Sequence, residues 1–314
     1  WGNTVVFKPA ELSPGCAWAL ADILQRAGLP AGVLNLLTGP GSVVGQTMLD
    51  DARVDAISFT GSQATGARVM AASAPLQRKV QLEMGGKNPL VVLDNADLDR
   101  AVAAAVDGAY FSTGQRCTAS SRLIVTERIH DRFVSAVAER LARLRTGHAL
   151  AEDTDIGPVV DEAQLRIDEA AIARARAQGG SLRVGGDRVT QATEGFFLTP
   201  ALITETTSDM AINREEVFGP VASVIRVRDY DEALATANDT DFGLCAGICT
   251  ESLKYASDFK RNARAGMVMV NLPTAGVDYH VPFGGTRASS FGPREQGAFA
   301  AEFYSTVKTA YTAS

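Results

Sequence analysis

An α/β fold, built on a parallel sheet with crossover helices, is the class this sequence predicts, and three observations predict it. Short apolar runs of strand length alternate with longer helix-period segments along most of the chain. Glycine-bearing turns stand where strand passes into helix, at 38–42 and again at 60–62. With 314 residues, 46% hydrophobic and 21% charged, the chain has ample core and the length of two domains.

Residues 5–7 form a short apolar strand, with Gly2 and Asn3 as the turn before it. It reads as the interior strand of a sheet rather than a first element, so an N-terminally truncated chain is expected. Ser13 is placed as an N-cap ahead of Pro14 at the first helical position, opening a helix that ends near Gly28. A strand at 33–37 turns through glycines into a helix reaching Leu49. A third strand at 56–59 turns through Thr60-Gly61-Ser62 into a helix to about Ala74, and Val80 and Leu82 mark a fourth strand. This alternation describes a Rossmann-like unit with a parallel sheet.

A second α/β region follows. A buried-type strand at 89–93 leads to a helix capped by Asp97 and running through Tyr110. Next come a strand at 122–126, a helix at 130–143 and a long charged helix at 162–178. Glycine pairs at 179–180 and 185–186 punctuate a loop region through Gly195. Strands at 221–227, 244–249 and 267–271 are separated by helices at 231–238 and 252–264. The tail at 302–309 alternates as an exposed strand does, and such an edge needs a partner or a cover.

A net charge of −6 disfavours nucleic acid as a partner, and no apolar run approaches the length of a membrane span. The four cysteines have no disulfide-framework spacing; Cys245 and Cys249 alternate with apolar residues and read as buried thiols, which suits a reducing cytoplasm. Three scattered histidines form no metal pattern.

Several stretches carry chemistry, each with an ordinary alternative. Gly39-Pro40-Gly41-Ser42-Val43-Val44-Gly45 is a strand-to-helix turn where Gly41 and Gly45 suit an anion, although it misses the G-x-G-x-x-G spacing by one residue and an ordinary turn would explain it. Phe59-Thr60-Gly61-Ser62 is better placed: Gly61 permits close approach of a pyrophosphate and Ser62 offers a donor. Lys8 and Glu11 could contact an adenine ribose, or simply be solvated. Cys117 sits in the polar loop Gly114-Gln115-Arg116-Cys117-Thr118, where the Arg116 cation would lower a thiol pKa; an inert thiol is the alternative. Glu83 breaks a strand that ends in glycines and either points into a cleft or lies on the surface. Glu216, in Glu216-Val217-Phe218-Gly219-Pro220, is another carboxylate at a turn.

Those motifs, together with Leu82-Glu83-Met84-Gly85-Gly86-Lys87 and Pro282-Phe283-Gly284-Gly285, occur in the order and approximate spacing of the aldehyde dehydrogenase superfamily, which the chain resembles along nearly its whole length. The resemblance implies a Rossmann-like cofactor domain, here incomplete, and an α/β catalytic domain of that family's fold. The expected boundaries are 1–85 for the cofactor domain, 86–288 for the catalytic domain, and 289–314 for a return segment with an oligomerisation strand. It implies Cys117 as nucleophile and Glu83 as general base. Glu216 would hold the nicotinamide ribose with Phe218 beside the ring, Lys8 and Glu11 the adenine ribose, and Ser62 the pyrophosphate. The cofactor is NAD or NADP, leaning to NAD because Glu11 would repel a 2′-phosphate. A homodimer or homotetramer is implied for the full-length protein, with a small aldehyde as substrate.

The segments 270–285, 292–297 and 301–309 resemble, more narrowly, the α-ketoglutaric semialdehyde (2,5-dioxovalerate) dehydrogenases, whose substrate carries a carboxylate. Arg116 and Ser120 are the candidate anchors for it. Two alternatives stand beside this reading: a coenzyme A-acylating semialdehyde dehydrogenase, against which Glu83 argues, and a non-catalytic nucleotide-binding fragment. Departures from the family pattern are Met84 for the commoner leucine and Ser290 where glycine is frequent. The family's oxyanion-hole asparagine is expected upstream of Trp1, leaving the Cys117 N–H as the donor within this chain.

Overall fold

The structure, a computed structural model, describes residues 1–313. The chain forms two compact units, one of residues 1–82, 279–282 and 292 onward, the other of 83–278 and 283–291. No helix among the described residues is long and apolar enough to cross a membrane.

The first unit contains β1 (Val5–Phe7), α1 (Pro14–Arg26), β2 (Leu34–Leu36), α2 (Gln46–Asp50), β3 (Ala56–Thr60), α3 (Gln63–Ser73) and most of β4 (Lys79–Glu83). The expected single sheet is corrected here. β1 and β2 pair in parallel by themselves, Val5 opposite Leu34, while β3 lies beside β4 in another sheet. Strands of three residues bury little, and Val5 and Val6 stay exposed, as do Trp18 and Ile23 of α1. Ser13 also differs from expectation: Pro14 opens α1, but the Ser13 side chain makes no capping bond. Ser62 does cap, accepting from Thr65 N–H at the start of α3.

The second unit is the larger core. Its elements begin with β5 (Asn88–Val92), α4 (Leu98–Tyr110), β6 (Ser120–Thr126), α5 (Glu127–Leu141) and α6 (Glu162–Ala177). Four short strands follow, β7 (Ser181–Val184), β8 (Arg188–Val189), β9 (Phe197–Leu198) and β10 (Ala201–Thr204), where the glycine pairs suggested only loop. The chain continues through α7 (Ala211–Arg214), β11 (Val221–Val227), α8 (Tyr230–Asn238), β12 (Cys245–Cys249), α9 (Leu253–Asn262) and β13 (Met267–Val270). β14 (Ser290–Phe291) returns to this unit, and α10 (Ala300–Tyr304) belongs to the first.

Seven strands make one sheet in the order β13-β12-β5-β6-β11-β10-β7, parallel throughout except for β7 at the edge. Helices cover both faces, so the strands are apolar on both sides. Leu90, Val92, Leu123, Val125 and Val224 pack with α4 and α5, whereas Val91, Ile124, Ile225 and Val227 pack with α8 and α9. Asp97 caps α4 by accepting from Arg100 N–H at 2.8 Å.

The tail is the other correction. Residues 300–304 are helical, and 305–313 form no strand, with Val307 and Tyr311 almost fully exposed. An extended segment needs a neighbouring ladder to become a strand, and nothing in the described chain pairs with this one. The helix is instead held by Trp1 stacking on Tyr304 at 5.5 Å and by Lys79 donating to the Glu302 carbonyl at 2.8 Å.

Candidate active site

The loop Glu83–Asn88, between β4 and β5, ties the candidate residues of the second unit together. Its glycines are set by space. A side chain at Gly85 would place Cβ 2.1 Å from Glu216 Oε2, and one at Gly86 would meet the Cys117 carbonyl at 2.5 Å. Gly86 N–H also donates to Glu216 Oε1 at 2.9 Å. The two glycines thus let the Glu216 carboxylate and the Cys117 loop approach the same backbone from different directions.

Asn88 closes the arrangement. Its Nδ2 donates to the carbonyls of Cys117 (2.8 Å) and Ala119 (2.9 Å), and its Oδ1 accepts from Cys245 N–H at 2.9 Å. This side chain was not singled out from the sequence, although a polar residue heading an apolar strand was the available signal. Alanine there would leave two carbonyls and one N–H without their partner in a buried setting. At about 1 kcal/mol or more for each such group, Asn88→Ala should cost about 3 kcal/mol. Thermal denaturation should show a midpoint lowered by several degrees; an unchanged midpoint would remove Asn88 as the clamp.

Cys117 is half-buried against Leu244, Cys245 and Met267. Burial pushes its thiol pKa up to about 11, the Glu216 and Glu83 carboxylates add to the rise, and backbone N–H groups of Cys117 and Thr118 oppose it. The lowering expected from Arg116 is therefore corrected. Its guanidinium turns to Ser112 Oγ, with Nε at 3.0 Å and Nη2 at 2.7 Å, and burial with two carboxylates raises the thiol instead. Arg116 does border a recess of about 310 Å³, counting its open side, together with Gly86, Glu216 and Phe218.

Ser120, expected as a substrate anchor, is fully buried at the start of β6. Thr274 Oγ1 donates its hydrogen to the Thr118 carbonyl at 2.7 Å, so Ser120 must be the donor in its own 2.7 Å bond to Thr274 Oγ1. The pair braces the chain just after Cys117, and the Ser120 hydroxyl is spent on that brace.

Burial raises the Glu216 pKa, against the Gly86 N–H and the Lys87 charge. Lys87 itself is fully buried and, among the described residues, its Nζ has no hydrogen-bond partner. Burial lowers its pKa to about 7, with Arg122 adding to the fall and Glu216 and Glu215 opposing it. Arg122, also fully buried, fixes the loop from beneath by donating to the Lys87, Thr236 and Ala237 carbonyls at 3.0 Å. Phe218 is partly exposed in a left-handed conformation (φ 63°). Its turn is held by Gln164, whose Nε2 donates to the Val217 carbonyl and to Asp168 Oδ1 at 2.8 Å. Gly219 leaves room for Asp168, since a Cβ there would lie 2.1 Å from Oδ1. Neither Gln164 nor Asp168 stood out in the sequence of a charged helix.

In the first unit, the glycine turn is a short π-helical segment, Gly41–Gly45, running into α2. The Glu11 carboxylate already accepts from Gly41 N–H, and Lys8 Nζ donates to the Pro9 carbonyl at 2.6 Å. A carboxylate at Gly41 is not the anion-free cradle expected of that turn. Nothing lies within 4 Å of a Cβ at Gly45. Gly61 is different: a side chain there would strike the Phe59 ring at 2.5 Å, and exposed Ser62 follows at the start of the eleven-residue α3.

The model of the aldehyde dehydrogenase family matches residues 1–310. The chain is 43% identical over 314 residues to an alpha-ketoglutaric semialdehyde dehydrogenase of Bacillus subtilis, covering 99% of this chain and 64% of that protein. It is 44% identical over 313 residues to an alpha-ketoglutarate semialdehyde dehydrogenase of Haloferax volcanii, again 99% and 64%. Among solved structures, betaine aldehyde dehydrogenase of Staphylococcus aureus in complex with NAD+ superposes with a TM-score of 0.93 at 34% identity, over 96% of this chain and 60% of that one. The chain therefore spans about 64% of the length of these curated relatives.

Proposed function

Because the chain belongs to the aldehyde dehydrogenase family, we propose that it carries out the NAD(P)-dependent oxidation of an aldehyde to a carboxylic acid through a thioester on Cys117. The observation that carries this reading is the convergence on one loop: the segment bearing Glu83 also clamps the Cys117 backbone through Asn88 and orients Glu216 through Gly86.

Each unit offers groups that fit part of a dinucleotide. Ser62 offers a hydroxyl at the positive end of α3, where a pyrophosphate is favoured. Glu216, held by Gly86, suits a ribose hydroxyl, with Phe218 beside the ring. An oxidised nicotinamide, when bound, would supply the hydride acceptor. The Glu11 carboxylate, which accepts from Gly41 N–H, would repel a 2′-phosphate on a ribose bound beside it, which supports NAD over NADP, as does the NAD+ complex of the S. aureus relative.

Burial and the Glu216 and Glu83 carboxylates favour the Cys117 thiol over its thiolate before a cofactor binds. With its proton passed to water, the sulfur adds to the aldehyde carbon and the carbonyl electrons move to oxygen. The backbone N–H groups of Cys117 and Thr118, which favour negative charge on the sulfur, are the donors we assign to that developing charge. After oxidation the acyl group is held as a thioester. Glu83 then takes a proton from water as its oxygen attacks the acyl carbon; the C–S bond breaks and the acid leaves. Retention of Glu83 supports hydrolysis over transfer to coenzyme A.

For the substrate we favour α-ketoglutaric semialdehyde, giving 2-oxoglutarate. The relatives at 43% and 44% identity support it, as does the 270–285 segment, whose Thr274 braces the nucleophile loop. The site is cytoplasmic in this reading, where the free thiols remain reduced. The test is cofactor reduction by the protein expressed from its complete coding sequence, with NAD and with NADP. It should favour the oxo-acid aldehyde over a simple aliphatic aldehyde by about tenfold or more in kcat/KM, a difference of about 1.4 kcal/mol. Equal rates would remove the substrate assignment, and no reduction with either aldehyde would remove the enzyme assignment.

A further inference from the structure

Glu83 is almost completely buried, and Ser290 Oγ lies 2.6 Å from its Oε2. The direction of that bond is set by a third group. Gly285 N–H, which can only donate, reaches Ser290 Oγ at 2.7 Å. Ser290 Oγ accepts there, and its one hydrogen is available to the ionised Glu83. The hydroxyl is carried on a rigid support. Met84 N–H donates to the Ser289 carbonyl at 2.8 Å, Gly243 N–H donates to Ser289 Oγ at 3.0 Å, and Ser289 is fully buried. Gly285 is wedged as well, since a Cβ there would meet the Gly243 carbonyl and Leu244 Cα at 2.8 Å. The backbone just after Glu83 is thus tied to the segment that presents Ser290.

We infer that Ser290 is a positioning residue for the Glu83 carboxylate, holding it by Oε2 and favouring its ionised form, and so sets the pH range over which the thioester is hydrolysed. The inference rests on the reading of Glu83 as the hydrolytic base. A donor to a carboxylate stabilises the charged form and lowers its pKa. Removing the hydroxyl should move that pKa upward, so the base is lost to protonation at a higher pH. An ordinary structural role for Ser290 would change stability and leave that limb of the profile in place.

The experiment compares wild type with Ser290→Ala, Ser290→Thr and Glu83→Gln in the protein expressed from its complete coding sequence, by rapid mixing and by steady-state rates across pH. In Ser290→Ala the acidic limb of kcat should shift upward by about one pH unit, roughly a tenfold loss on that limb. The first-turnover burst of cofactor reduction and kcat/KM should stay as in wild type. Ser290→Thr keeps the hydroxyl and should restore the wild-type limb, which also guards against a misfolded alanine variant. A Ser290→Ala profile that superimposes on wild type, while Glu83→Gln is impaired, overturns the inference alone. If Glu83→Gln hydrolyses thioester as fast as wild type, the functional reading of Glu83 falls and takes this inference with it.

Discussion

Replacing Cys117 by alanine should abolish aldehyde-dependent cofactor reduction, a loss of roughly 10⁴-fold or more, the scale seen when a covalent nucleophile is deleted. The substitution removes one sulfur from a half-buried position, and the Asn88 bond to the Cys117 carbonyl needs only backbone. Folding and cofactor binding should therefore persist, which fluorescence titration would show. Mass spectrometry of the wild-type protein quenched during turnover should find the acyl group on the peptide containing Cys117. Of the other thiols, Cys245 and Cys249 are buried and Cys16 is exposed. An acyl group on Cys16, or unimpaired reduction by the alanine variant, would exclude Cys117 as nucleophile.

The second large effect belongs to Glu83→Gln. A general base typically contributes 10²–10⁴-fold, and glutamine keeps the shape of the side chain and a carbonyl oxygen toward Ser290. Steady-state turnover should fall within that range while the first turnover still releases about one equivalent of reduced cofactor. Added hydroxylamine, which attacks a thioester without a base, should recover much of the turnover. Loss of the burst along with the steady-state rate would instead place Glu83 in the first chemical step.

The family and the α/β class were both legible in the chain itself, and the family model and the solved relatives bear them out. Alternating strands and helices identify the class because periodicity is local: β11 at Val221–Val227 and α4 after Asp97 follow from the residues within them. Short strands were not legible. β8 and β9 have two residues each, too few for a period to show, and they exist through pairing with one another. The tail failed for the opposite reason: it has the alternation of a strand but no ladder within the described chain.

The same division runs through the candidate site. Residue types together with the resemblance to the aldehyde dehydrogenases brought forward Cys117, Glu83, Glu216 and Phe218, and all four lie in one compact unit. The direction of each side chain was decided by tertiary structure. Arg116 turns to Ser112 and away from the role assigned to it, Ser120 is consumed by Thr274, and Glu11 takes the amide of Gly41. Asn88 reaches Cys245 from 157 positions away, and Ser290 reaches Glu83 from 207. Sequence determines which groups exist and which local element carries them. Their partners are set where distant segments pack, because a hydrogen bond is satisfied by proximity in space, and burial then decides how strongly each charge is perturbed.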